Sequence, residues 1–151
     1  MLKPTALLLP LACSWLMLAS CATTDASPQA AANPLAGTRW ELVQFQSPAD
    51  GAVTPRDPTV YTMELNADGA LAMRLDCNRA AGRWEAKAAN ASSGSISFGQ
   101  AAMTRAACLG PSMDTRISMD LERVRTFTLE GDRLKLALEA DGGVYTWRRL
   151  G

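Results

Sequence analysis

The sequence predicts an α+β fold that is mainly β: an antiparallel sheet curled on itself, or an open (cracked) barrel, of about seven to eight strands with one helix. Three observations predict it. Short runs alternate apolar and polar residues at a period of two. The connections between runs are rich in Gly, Asp, Asn and Pro and too short for parallel crossovers. Only one segment repeats its apolar residues at helical spacing.

The first strand covers 38–45, with Trp40 and Leu42 on one face and Val43 and Phe45 on the other, so it is expected to be buried partly on both sides. Residues 47–58, SPADGAVTPRDP, read as a loop. Tyr61, Met63 and Leu65 alternate with polar residues, Ala67-Asp68-Gly69 turns, and Leu71, Met73 and Leu75 alternate again, which makes a hairpin with one apolar face. Further short strands are expected over 82–86 and 95–98, and Asn90-Ala91-Ser92 between them reads as turn chemistry although it is formally a glycosylation sequon.

A helix is expected over 112–125, with Pro111 before it, Ser112 as N-cap and Asp114 in the first turn. Met113, Ile117, Leu121 and Val124 form its apolar stripe, which reads as core packing. Phe127 and Leu129 then lead through a tight turn at Gly131-Asp132 into Leu134, Leu136 and Leu138. A last turn at 141–143 opens the strand over 144–148.

The N-terminus is of another kind. Lys3 precedes an almost wholly apolar run from Ala6 to Ala19, interrupted by Pro10 and shorter than a spanning helix requires, so residues 1–20 read as a signal peptide. Its end, Leu18-Ala19-Ser20-Cys21, resembles the lipobox of bacterial lipoprotein signal peptides, in which cleavage precedes the cysteine; the competing reading is an ordinary cleavage site. The resemblance implies that Cys21 is the lipidated first residue of the mature chain, and Ala22 behind it is similar to the pattern sorted to the outer membrane. Two or more acyl chains make such an anchor stable. Residues 22–34 hold no large apolar side chain and read as a flexible tether, so the folded domain is expected over 35–151.

Of the four cysteines, Cys13 then leaves with the signal and Cys21 carries lipid, leaving Cys77 and Cys108 in the domain. In an oxidising compartment two remaining thiols point to a disulfide. The competing reading, a catalytic thiol, lacks the histidine partner it would use, because the chain contains no histidine. The same absence weighs against a metal site. The 15 basic and 15 acidic residues balance, which argues against a nucleic-acid partner. Glu64, Asp68, Asp76 and Glu85 fall at alternating exposed or turn positions, with no spacing that compels an acid–base pair.

Two motifs carry a family resemblance. Cys77-Asn78-Arg79-Ala80-Ala81-Gly82-Arg83-Trp84 resembles the Cys-Asn, three residues, Gly, one residue, aromatic pattern of the META domain family, which includes the heat-inducible HslJ-type envelope proteins. Thr104-Arg105-Ala106-Ala107-Cys108, followed by Met113 and an amphipathic segment, is similar to its second motif. Where the family often has glycine before the first cysteine this chain has Asp76, and Arg116 stands where a glutamate is frequent. The resemblance implies a small barrel-like fold, commonly a lipoprotein or secreted domain, without established catalysis.

From the residues alone, Asn78 and Gly82 read as a structural corner, the amide bonding local backbone and the glycine taking positive φ or permitting a close chain approach. Thr104-Arg105 is expected to bring a guanidinium near Asp76 or another carboxylate. The chain is thus expected to be non-catalytic, without cofactor or metal, attached to the outer membrane by its lipid and facing the periplasm. Its expected partner is an envelope protein in stress tolerance or maintenance. Alternative readings are a periplasmic inhibitor of a lysozyme-like enzyme or protease, using loop 47–58 or 88–94, and a pilotin-like module with an apolar lipid or peptide groove around Trp84, Phe98 and Trp147.

Overall fold

The computed structural model describes residues 33–151. The signal segment, Cys13, Cys21 and the tether up to residue 32 lie outside the described residues. The chain runs as β1 (Thr38–Ser47), β2 (Gly51–Val53), β3 (Tyr61–Leu65), β4 (Ala70–Leu75), β5 (Asn78–Asn90), β6 (Ser93–Phe98), β7 (Ala102–Met103), α1 (Asp114–Asp120), β8 (Val124–Glu130), β9 (Arg133–Leu138) and β10 (Val144–Leu150).

Eight of these strands close into an antiparallel barrel in the order β1-β3-β4-β5-β6-β8-β9-β10, and β10 returns to β1. The ring is closed rather than open, because the two ends of the domain pair along nearly their whole length, from Arg39 opposite Leu150 to Gln46 opposite Val144. Closure removes the unpaired edges that an open sheet would expose. The thinnest seam is β6 to β8, joined only from Ser93 opposite Thr128 to Ser95 opposite Thr126. The two short strands absent from the sequence reading are additions to this ring: β2 pairs with β1, and β7 pairs with β5.

The barrel interior follows from the alternation. Met63, Leu65, Leu71, Leu75, Leu134, Leu136 and Trp147 all point inward and are buried. In β1 the expected two-sided burial is corrected. Val43 is an extra residue relative to β10, since Leu42 faces Trp147 and Gln44 faces Thr146. That bulge switches which parity points inward. Phe45 therefore joins Trp40 and Leu42 in the core and stacks on Tyr145, ring centroids 4.3 Å apart, while Val43 stays half-buried.

The helix is shorter than its apolar stripe. α1 spans Asp114–Asp120 and passes through a 3-10 turn at Leu121–Arg123, and Val124 is already extended at the start of β8. All four stripe residues are buried as expected, so side-chain periodicity continued beyond the helical backbone. Met113 rather than Ser112 occupies the N-cap, although the Ser112 hydroxyl still accepts the Asp114 N–H at 3.3 Å.

Trp84 and Phe98 border a small depression with Arg83, Glu85, Ser97 and Gly99, but Trp147 is not part of it, so the three do not form one shared groove. They are buried in the core, and Trp84 lies directly opposite Phe98 on the neighbouring strand. Trp84 Nε1 donates to the Asn66 carbonyl at 3.1 Å, and Trp40 Nε1 to Thr38 Oγ1 at 2.7 Å. Trp147 Nε1 is, among the described residues, the one buried side-chain polar atom without a partner.

The loop 47–58 is more ordered than its composition suggests, folding into β2 and a 3-10 turn at Pro58–Val60 whose N-cap, Asp57, accepts from Thr59 N–H and hydroxyl. The segment 88–94 is the tight β5–β6 hairpin, held by Asn90 Oδ1 accepting from the Ser92 N–H and the Ser92 and Ser93 hydroxyls.

At the β4–β5 corner, Asp76 has φ of 61°, a conformation that suits glycine better than a side chain. Its N–H donates to the Val60 carbonyl at 2.8 Å, a bond that any residue retains. Asp76→Gly is expected to raise stability by about 0.5 kcal/mol, and Asp76→Val to lower it by about 1 kcal/mol or more, read by denaturant unfolding.

Candidate functional site

The two family motifs meet at one corner of the barrel. β5 begins at Asn78, immediately after Cys77, and Cys77 is disulfide-bonded to Cys108 with Cα atoms 5.5 Å apart. Asn78 is 1% exposed, and all four positions of its amide are used. Oδ1 accepts the Thr104 hydroxyl at 2.9 Å and the Ala106 N–H at 2.8 Å. Nδ2 donates to the Ala106 carbonyl at 3.0 Å and to Asp114 Oδ2 at 2.8 Å.

The side chain thereby does for residues 104–106 what a neighbouring strand would do, bonding both the N–H and the C=O of one residue. Thr104 extends the pairing, since its hydroxyl accepts the Arg79 N–H at 2.9 Å and its own N–H donates to the Arg79 carbonyl at 3.0 Å. The fourth bond reaches the first turn of α1, so a single amide ties together the disulfide, the loop and the helix.

Gly82 serves the same corner through close approach, not through positive φ. A Cβ there would lie 3.2 Å from both the Ala101 Cα and the Gln100 carbonyl. β6 and β7 are two parts of one strand against β5, displaced by one residue where segment 99–101 bulges over Gly82. Trp84, two residues on, turns inward. Of the predicted motif residues, Cys77, Cys108, Asn78, Gly82, Trp84 and Thr104 thus belong to this construction. Arg105 does not: it is exposed and forms no ion pair among the described residues, with Asp76 or any other carboxylate.

Asp114 is held below its ordinary carboxylate range. Burial opposes its ionisation, but the Thr115 N–H, Asn78 Nδ2 and the Ser112 and Thr115 hydroxyls together outweigh that penalty. On the other side of α1, Asp120 is buried and accepts the Tyr145 hydroxyl at 2.7 Å and Arg123 Nη1 at 3.1 Å. Burial, and then this bond, push the Tyr145 phenol far up, so it remains a neutral donor. Tyr61 ties the same segment to β3, its oxygen accepting the Met113 N–H at 3.0 Å. These are contacts between distant parts of the chain that no local pattern announces.

What the corner displays is the segment between the disulfide and α1. Leu109 stands 98% exposed beside Cys108, followed by Gly110 and Pro111. Sequence reasoning passed over it, although a leucine among Gly, Pro and Ser that belongs to neither periodicity was a usable signal. Among the described residues, no three His, Cys, Asp or Glu side chains gather closely enough to hold a metal ion.

The META domain model matches residues 33–149, which includes the corner and every strand of the barrel. The chain belongs to the META domain family. Its barrel is similar to the NMR structure of a protein from Burkholderia xenovorans, with 24% identity over 78% of this chain and 88% of that one and a TM-score of 0.60. It is also similar to a crystal structure of a duf4847 family protein from Bacteroides vulgatus, 14% identical over 76% of this chain and 93% of that one, TM-score 0.54. No curated protein matches the chain. At these identities the structural likeness concerns the fold, and the family motif acquires its meaning from the geometry above: in this META domain, Cys-Asn-x-x-x-Gly is the corner that carries the 104–111 loop.

Asn78→Ala is expected to cost about 2–3 kcal/mol, because it removes the four hydrogen bonds of a buried amide, and reduction of Cys77–Cys108 roughly 3.5–4 kcal/mol; chemical denaturation measures both. Since the folded state favours ionised Asp114, its contribution is in place above about pH 4 and is lost as pH falls through its lowered folded value. Asp114→Asn is therefore expected to flatten the acid limb of the stability–pH curve relative to wild type.

Proposed function

We propose that this META domain is the non-catalytic working part of a lipoprotein anchored through Cys21 to the outer membrane, facing the periplasm, where it supports envelope stress tolerance or maintenance by gripping a partner protein with its disulfide-braced loop. The observation that carries the reading is Leu109. A leucine side chain held fully in water is an unused apolar anchor, and burying it against a partner contributes about 1.5–3 kcal/mol. Bracing by Asn78 and the disulfide means that little loop entropy is lost on binding.

The placement of the loop supports the same reading. The chain enters the barrel at the end where the Gly37 N–H donates to the Leu65 carbonyl, whereas Asp76 and Cys77 follow the opposite end of that hairpin. The strands between them span about 15 Å, so a tether arriving through residues 33–37 leaves the loop at the end of the barrel away from it. A rigid loop with an apolar tip also suits the inhibitor reading, with 104–111 rather than 47–58 or 88–94 as the inserted element.

The test is complementation. Deleting the gene is expected to lower tolerance to heat and to envelope-active drugs; wild type restores it, and Leu109→Asp, with unchanged melting temperature, does not. Cys21→Ala is expected to abolish acylation and membrane retention. Full rescue by Leu109→Asp, or an unaffected deletion strain, overturns the partner role. Suppression of a lysozyme or protease by the purified protein, lost in Leu109→Asp, selects the inhibitor form.

A further inference from the structure

On the outer face of the barrel, β3, β4, β5 and β7 form a trough of about 710 Å³. Its cause is a change of side-chain length across the strands. Ala72 lies opposite Ala81, and Ala81 opposite Ala102, so one row across the sheet has almost no height. The neighbouring row places Arg74 directly opposite Arg79, while Met103, opposite inward-facing Ala80, packs against the core and leaves Ala102 as the outward residue of β7.

The arginine pair is the unusual feature. Like charges directly opposite each other on adjacent strands repel. Here neither guanidinium has a carboxylate within ion-pair distance among the described residues. Arg74 Nε donates only to the Asp76 carbonyl at 3.3 Å, and Asp57 feels Arg74 only as a weak, distant charge. Glu64, the carboxylate lining the trough, is already bound to Arg39 at 3.2 Å. Two unneutralised guanidiniums at one end of an alanine floor form an amphipathic cradle: a bidentate-capable cationic head site continuous with an apolar bed of a volume suited to a small ligand.

We infer that this trough binds a small phosphate-headed amphiphile, the phosphate between Arg74 and Arg79 and the apolar body along Ala72, Ala81 and Ala102. The phosphate relieves the repulsion that the folded sheet imposes on the pair, and the body covers the alanine floor. A lipid headgroup and a free organic phosphate both offer this chemistry.

The experiment uses the full chain carrying Cys21→Ser and follows Ala methyl resonances by NMR. Hexyl phosphate is expected to shift the methyls of Ala72, Ala81 and Ala102 saturably. Arg79→Gln is expected to weaken that binding about 10-fold or more while leaving the melting temperature unchanged or raised, because it also removes the like-charge pair. Inorganic phosphate is expected to bind more weakly than hexyl phosphate. Dihexanoyl phosphatidic acid binding more tightly than hexyl phosphate assigns the head to a lipid, and the reverse order to a free organic phosphate; either order supports the class. Unmoved methyls, equal affinity in Arg79→Gln, equal affinity for inorganic phosphate, or equal binding of hexyltrimethylammonium overturns the inference.

Discussion

The four hydrogen bonds of the Asn78 amide are the constraint around which the distinctive part of this domain is arranged. Without them residues 105 and 106 would have no strand beside them, and the polar groups of the buried Asn78 corner would lack partners. The adjacent Cys77–Cys108 bond removes the alternative of letting the segment swing into water. Amide and disulfide thus act on the same stretch by different means, one satisfying its backbone in the folded state and the other limiting its freedom in the unfolded one. Leu109 is displayed at the end of that stretch, and its exposure is the consequence of a loop that cannot collapse onto the core.

The rest of the barrel is organised by parity. A strand keeps one face inward only while its register is unbroken, and both β1 and the β6–β7 stretch break register where the curvature requires it. Val43 bulges in β1 so that Phe45 rejoins the core, and segment 99–101 bulges over Gly82 so that β6 and β7 both follow β5. In the regular register before the β1 bulge, Glu41 lies directly opposite Arg148 on the outside of the closing seam, buried and paired across the strands. Closure between β1 and β10 makes the first and last strands of the domain interdependent, a non-local pairing that slows folding relative to local hairpins.

The same outward parity that solvates most of the surface also builds the Arg74–Arg79 trough. Core packing constrains Met73, Leu75 and Ala80 and leaves their outward neighbours unconstrained, so a like-charge pair over a row of alanines is not required by the fold.

Hairpins were legible because alternation and turn chemistry are local: Tyr61 to Leu75 and Leu129 to Leu134 fold as their residues dictate, and the Gly131-Asp132 turn falls where the pattern puts it. The disulfide was legible from the cysteine count and the export that the N-terminus leads one to expect, and the corner from its residue types. Helix length was not, because Val124 satisfies the helical stripe and the strand pattern equally, and the pairing with Leu138 decided between them. Nor was the placement of Phe45, the exposure of Arg105 without an ion pair among the described residues, or the burial of Trp147, since each depends on which segment lies opposite. Periodicity belongs to a segment, whereas bulges, closure and exposure belong to the relation between segments; only the assembled barrel settles those.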